Sequence, residues 1–171
     1  MKNLFVTFLG MVIAQYCVAQ NNYSNTFNGR ADVVYLELGG PGVLSLNYDA
    51  RFKKVNNGWG YRVGLGAFGG YNFLSSTTVI SFPIGVNYIV SKDKRNYFET
   101  GAGFTFLSIS STSNFMELNT TNETSAFGHL NIGYRFQPRR HGLFFRAALN
   151  PIFNTASFQP LYGGLAIGYK F

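Results

Sequence analysis

The chain closes on Leu161-Tyr162-Gly163-Gly164-Leu165-Ala166-Ile167-Gly168-Tyr169-Lys170-Phe171. Read with a period of two, one face carries Leu161, Leu165, Ile167, Tyr169 and Phe171. The other carries Tyr162, Gly164, Ala166, Gly168 and Lys170. Successive side chains of a strand point to opposite faces, so large apolar groups stand opposite small or polar ones. This pattern predicts the closing strand of a bacterial outer-membrane barrel, with the terminal Phe as the feature that barrel assembly machinery would read.

The other end of the chain agrees with that address. Lys2 precedes an apolar run from Leu4 to Ile13, and Cys17-Val18-Ala19 stands before Gln20. A basic start, a short apolar run and small residues at a cut predict a secretory signal peptide over residues 1–19. A spanning helix would need roughly 20 apolar residues. Cleavage removes the single cysteine, which excludes disulfides and thiol chemistry from the mature chain. Residues 20–32 then read as a short polar lead-in and 33–171 as one domain. Aromatic residues make up 18% and charged residues 12%, about half the charge of an ordinary soluble domain. No later stretch is long enough to span as a helix, so the apolar content must be distributed over alternate positions.

Eight segments alternate in this way, separated by turn-forming residues: Val33–Gly39, Val43–Phe52, Trp59–Gly70, Val79–Val90, Tyr97–Leu107, Ser125–Phe136, Leu143–Phe153 and Leu161–Phe171. Every strand charge falls on the polar face: Glu37, Asp49, Arg51, Arg62, Glu99, Arg135, Arg146 and Lys170. A charge on the lipid side near the midplane costs about 2–4 kcal/mol, so a membrane barrel requires this sorting. A soluble lipocalin-like barrel would alternate too, with its apolar face inward. The polar face here also carries Gly64, Gly66, Gly85, Gly101, Gly103, Gly133, Gly164 and Gly168. Such glycines leave room for long side chains inside a narrow barrel and have no use on a solvated outer face. The fold class is therefore all-β: an eight-stranded, antiparallel, closed transmembrane barrel in an up-and-down meander, expected to be a monomer surrounded by outer-membrane lipid. Pro83 cannot donate to the ladder, and a bulge is expected there.

With an even strand number both ends of the barrel lie on the periplasmic side. Lys53–Gly58, Ser91–Asn96 and Gln137–Gly142 are then periplasmic turns. Gly40–Gly42, Asn72–Thr78, Ser108–Thr124 and Asn154–Pro160 are outer loops, the longest being Ser/Thr/Asn-rich with Glu117 and Glu123. The turns hold Lys53, Lys54, Lys92, Lys94, Arg95, Arg139 and Arg140 against Asp93 alone, and are expected to meet anionic headgroups. The pI near 9.6 thus has a local source, and no basic stripe interleaved with aromatics points to nucleic acid.

Asp49, Arg51, Arg62, Glu99, Arg135 and Arg146 are expected to cluster in the lower interior, four arginines around two carboxylates. Buried charges must pair, so these form a plug. Glu37 is expected to stand apart in an upper interior of Ser45, Asn47, Ser81, Thr105, His129 and Asn150, with room for a small wet cavity. No metal-ligand spacing, phosphate loop or nucleophile elbow is present, and no cofactor is expected. His141 sits in a turn. His129 faces inward, and Ser45, Ser81 and Glu37 are on compatible faces, but nothing in the spacing places them within its reach, so no catalytic residue is assigned.

Several blocks together resemble a family of small outer-membrane barrel proteins of Bacteroidetes-type bacteria. They are Tyr35-Leu36-Glu37-Leu38-Gly39-Gly40-Pro41-Gly42, Ser45-Leu46-Asn47-Tyr48, Arg62-Val63-Gly64-Leu65-Gly66 and Phe82-Pro83-Ile84-Gly85-Val86-Asn87-Tyr88. Further blocks are Phe98-Glu99-Thr100-Gly101-Ala102-Gly103, Gly133-Tyr134-Arg135-Phe136-Gln137-Pro138 and Phe144-Phe145-Arg146-Ala147. The resemblance implies a barrel similar to the OmpX and OmpA membrane domains and no particular activity. It also marks Glu37, Glu99, Arg62, Arg135 and Arg146 as structural interior charges. The expected role is structural or surface-interacting. A lipid A or phospholipid-modifying enzyme and a narrow channel are the alternatives.

Overall fold

The computed structural model describes residues 30–71, 75–113 and 119–171. The signal peptide, Cys17, most of the lead-in and Glu117 lie outside the described residues. The strands are β1 (Asp32–Gly39), β2 (Leu44–Arg51), β3 (Gly58–Tyr71), β4 (Ser75–Val90), β5 (Asn96–Ser113), β6 (Asn119–Phe136), β7 (Gly142–Leu149), β8 (Ile152–Phe153), β9 (Phe158–Gln159) and β10 (Gly163–Lys170). Neighbours pair antiparallel in the order β5-β4-β3-β2-β1-β10-β7-β6, and pairing of β5 with β6 closes the ring. Closure gives each of the long strands partners on both sides, and only the short β9 is paired on one side, by β8.

The ten segments make eight barrel strands. β8 continues β7 in one register: Ile132 faces Leu149 and His129 faces Ile152. The break falls at Pro151, which has no N–H but whose carbonyl still accepts from Leu130 at 2.9 Å. β9 likewise leads into β10. The Asn150 N–H donates to the Tyr162 carbonyl, while Ile152 faces Gln159. The last strand therefore holds one extra residue near Pro160 and Leu161, a bulge that the alternation does not reveal.

The two faces separate cleanly. Leu36, Leu46, Leu65, Phe104, Ile132 and Leu165 point outward and are each about half exposed. Glu37, Asp49, Arg51, Arg62, Glu99, Arg135, Arg146 and Lys170 point inward, none more than 4% exposed. Toward the end formed by the three short turns, the outer face becomes an aromatic collar. Trp59 packs on Tyr88 with ring centroids 5.3 Å apart, and Phe52 on Tyr61 at 5.7 Å.

Pro83 produces no bulge. β3 and β4 keep one frame across it, with Val63 facing Ile84 and Gly66 facing Ser81, and Pro83 itself faces Thr105 of β5. The ladder only skips the Gly64–Leu65 level. The ring lies in the lumen against Gly64, where a Cβ would come within 3.0 Å of it. An absent side chain on the neighbouring strand thus accommodates the proline without an extra residue.

The expected long loop Ser108–Thr124 is mostly strand. β5 and β6 run 18 residues each and stay paired from Ser108–Thr124 up to Ser113–Asn119. Most of Asn72–Thr78 also belongs to strands, since β3 reaches Tyr71 and β4 starts at Ser75. Hydrophobic alternation is blind to these extensions because, Ile109 apart, Ser108–Ser113 and Asn119–Thr124 are polar on both faces. What holds them is side-chain pairing: Ser110 donates to Asn122 at 2.7 Å, and the hydroxyls of Thr77 and Ser111 lie 3.2 Å apart. Thr is also stiff at χ1 and favours the extended backbone. Glu123 sits exposed on β6 and not in a loop. The opposite hairpin, β1–β2, turns tightly over Gly40–Val43. Gly39 and Gly40 take positive φ there, and Gly39 N–H donates to Val43 O at 2.6 Å. The rim is consequently uneven, tall over β4–β6 and low over β1–β2.

Candidate functional site: the charged lumen

The lumen is organised by an unbroken chain of alternating charges. Asp49 of β2 accepts from Arg51 at 2.5 Å and from Arg135 of β6 at 2.8 Å. Arg135 also reaches Glu99 of β5 at 3.3 Å. Glu99 accepts from Arg146 of β7 at 3.1 Å, and Arg146 donates through its second branch to Glu37 of β1. Arg62 of β3 approaches Glu37 at 3.7 Å. All seven interior charges singled out from sequence therefore meet, and they tie six strands together.

Neutral amides extend the network, which leaves Glu37 Oε2, Arg51 Nε, Arg62 Nη1 and Arg135 Nε without a hydrogen bond. Asn87 donates to Asp49 at 2.5 Å and accepts from Arg51 at 2.6 Å. Asn131 donates to Glu99 at 2.7 Å and accepts from Arg146. The Arg135 guanidinium stacks 4.8 Å above the Phe144 ring, which packs on Tyr35 at 5.1 Å. Buried ions demand this density of partners, because the attraction offsets desolvation only when the remaining donors and acceptors are met. Glycines make the space: a Cβ at Gly60 would collide with the Arg51 guanidinium.

Two expectations about the upper interior are corrected. Glu37 does not stand apart, because the long Arg146 side chain bridges it to Glu99, so three carboxylates and not two face the four arginines. The space expected to hold a wet chamber is filled. Ser81 donates to the Gly42 carbonyl at 3.0 Å, and Asn47 to the Ser45 hydroxyl at 2.8 Å. A cavity beside Arg62, Glu99, His129 and Asn131 measures about 10 Å³, enough for one water at most.

His129 is held by Arg62 and Thr105. Its Nε2 lies 3.3 Å from Arg62 Nη2 and its Nδ1 3.4 Å from the Thr105 hydroxyl. Arginine offers only donors, so Nε2 is the acceptor and Nδ1 carries the proton. Ser45, Ser81 and Glu37 are engaged with other groups. His129→Leu should lower the unfolding free energy by about 1–3 kcal/mol by leaving a buried guanidinium branch without its acceptor. Urea titration of the folded barrel measures it, and an unchanged midpoint would show that the Arg62 contact contributes nothing.

The turn end is laced shut. Lys170, fully buried, donates to Asn56 Oδ1 at 2.6 Å and to the carbonyls of Pro138 and Arg139 at 2.9 and 3.1 Å. Asn56 donates to the Arg139 carbonyl at 3.1 Å, Gln137 to the Asn56 carbonyl at 3.3 Å, and Arg139 to the Asp93 carbonyl at 3.1 Å. Sequence reasoning placed Lys170 inward but gave no role to Asn56 or Gln137, whose partners lie more than 80 residues away. Lys53, Lys54, Lys92, Lys94 and Arg139 are exposed around this lacing, with Arg95 and Arg140 half-buried. Asp93 is turned onto its own loop, accepting the N–H groups of Asn96 at 2.8 Å and Arg95 at 2.9 Å and the Ser91 hydroxyl at 2.9 Å. The Asn96 N–H foremost holds its carboxyl well below the usual carboxylate range. The stabilisation this gives the turn is present above the ordinary carboxylate value and is lost only as pH falls through the depressed one. Among the described residues, no group of three or more His, Cys, Asp or Glu could hold a metal.

No protein-family model matches the chain, and no curated protein matches it. Solved structures do. The N-terminal β-barrel domain of Pseudomonas aeruginosa OprF superposes with a TM-score of 0.51 at 11% identity, over 84% of this chain and 98% of that one. Neisserial surface protein A gives 0.49 at 15% identity, over 82% and 93%. Ail, the attachment invasion locus protein of Yersinia pestis, gives 0.47 at 13% identity, over 84% and 99%. At these identities the likeness is one of fold.

Proposed function

We propose that the chain is a small integral outer-membrane protein, monomeric and plugged by its interior charges, with a structural or surface-interacting role. One observation carries the reading: an apolar belt encircles the outside while the lumen is filled by ion pairs, the reverse of a soluble barrel. The belt would face lipid, and the aromatic collar the headgroup level on the turn side. The short turns would then lie in the periplasm and the tall β4–β6 wall outside the cell.

The test is migration in SDS of the outer-membrane fraction, boiled against unboiled. A closed membrane barrel stays folded until boiled and then changes mobility. Soluble periplasmic protein without a shift would sink the reading.

A further inference from the structure

We propose that the turn end is a docking face for a carboxylate-bearing polymer, namely the peptide-linked glycan wall that underlies an outer membrane. The inference rests on the orientation proposed above and adds a partner to it.

Charge is partitioned along the barrel axis. Among the described residues, the β3–β4 and β5–β6 hairpins rise beyond Arg62 without a single Lys or Arg. At the other end Lys53, Lys54, Lys92, Lys94 and Arg139 are all exposed. The one acid among them, Asp93, spends its oxygens on its own turn. Nothing acidic on the neighbouring turns is placed to pair with these cations among the described residues.

The position of the cations separates two anionic partners. Lipid headgroups ring the barrel, and that perimeter is aromatic: Phe52, Trp59, Tyr169 and Phe171 are each more than half exposed there. The three turns do not splay outward over the headgroups. They are drawn together across the mouth by Lys170, Asn56 and the Arg139–Asp93 contact. The turns that carry the cations therefore close over the mouth of the barrel, and Lys53, Lys54, Lys92, Lys94 and Arg139 stand exposed together on that end face. A polymer with repeated carboxylates can engage several of them at once. Each exposed contact is weak and salt-sensitive, so affinity would come from their number.

Detergent-folded protein should pellet with purified cell-wall sacculi at low salt and be released at raised salt. The variant carrying Lys53→Gln, Lys54→Gln, Lys92→Gln and Lys94→Gln should pellet roughly tenfold less, with its boiling-dependent shift unchanged. Sacculi whose carboxylates have been amidated should release the unmodified protein. Three results would overturn the inference: no pelleting, equal pelleting of the lysine variant, or capture by anionic phospholipid vesicles but not by sacculi. A preserved shift with no pelleting strikes this inference alone. Loss of the shift strikes the membrane reading.

Discussion

Arg146→Met should destabilise the folded barrel by about 3–5 kcal/mol. Arg146 is the joint of the lumen: it donates to Glu37 and Asn131 and lies 3.1 Å from Glu99. A methionine fills much of the volume but leaves two carboxylates facing each other with one guanidinium fewer. The loss is in compensation and not in packing, so it should be partly recovered when a carboxylate is removed as well. Arg146→Met combined with Glu37→Gln should therefore be less unstable than the two single changes added together. Urea titration in detergent or vesicles reads both, by the loss of the unboiled form on a gel. Additive effects would mean that Arg146 acts by shape alone.

Leu165→Arg should cost about 2–4 kcal/mol, because it places a cation on the outer face near the middle of the strand that β9 and β10 form together. Ser76→Arg, exposed on the same outward side of the barrel but on the β4 extension beyond the belt, should change stability by less than about 0.5 kcal/mol. The contrast reports where hydrocarbon ends. On a soluble barrel both positions are surface positions, and both substitutions would be nearly silent. A tolerated Leu165→Arg would thus remove the bilayer from the account.

The faces of the strands were legible because each segment has an apolar row to read. Leu161, Leu165, Ile167 and Tyr169 announce the outside of the last strand, and Lys170 and Gly168 its inside. The same rule fails where both faces are polar, which is why Ser108–Thr124 reads as a loop although Ser110 and Asn122 pair across two strands. Pro83 misleads for a different reason. Its compensation, Gly64, lies on the neighbouring strand, and register is invisible before the sheet is built. The charge cluster was legible as a set of inward residues. Its wiring was not, because the reach of Arg146 toward Glu37 depends on how β7 and β1 are staggered around the ring.

For the membrane barrel proposed above, the alternating chain of charges also bears on how the protein enters a bilayer. Glu37 and Arg146 are separated by 109 residues, and Asp49 and Arg135 by 86. The first three strands bring the pairs Asp49–Arg51 and Glu37–Arg62, but Arg135 and Arg146, which join these pairs to Glu99, arrive only with β6 and β7. Strands delivered one at a time would lay their inward charges against hydrocarbon, at about 2–4 kcal/mol each near the midplane. The less costly route curls the sheet into an almost complete ring before or while it crosses, so that Glu99 and Glu37 find Arg146 without visiting lipid. Departure must retrace the same path. Peeling off β10 alone would open the lumen wall beside Arg146, so the barrel should leave the membrane as a whole or stay.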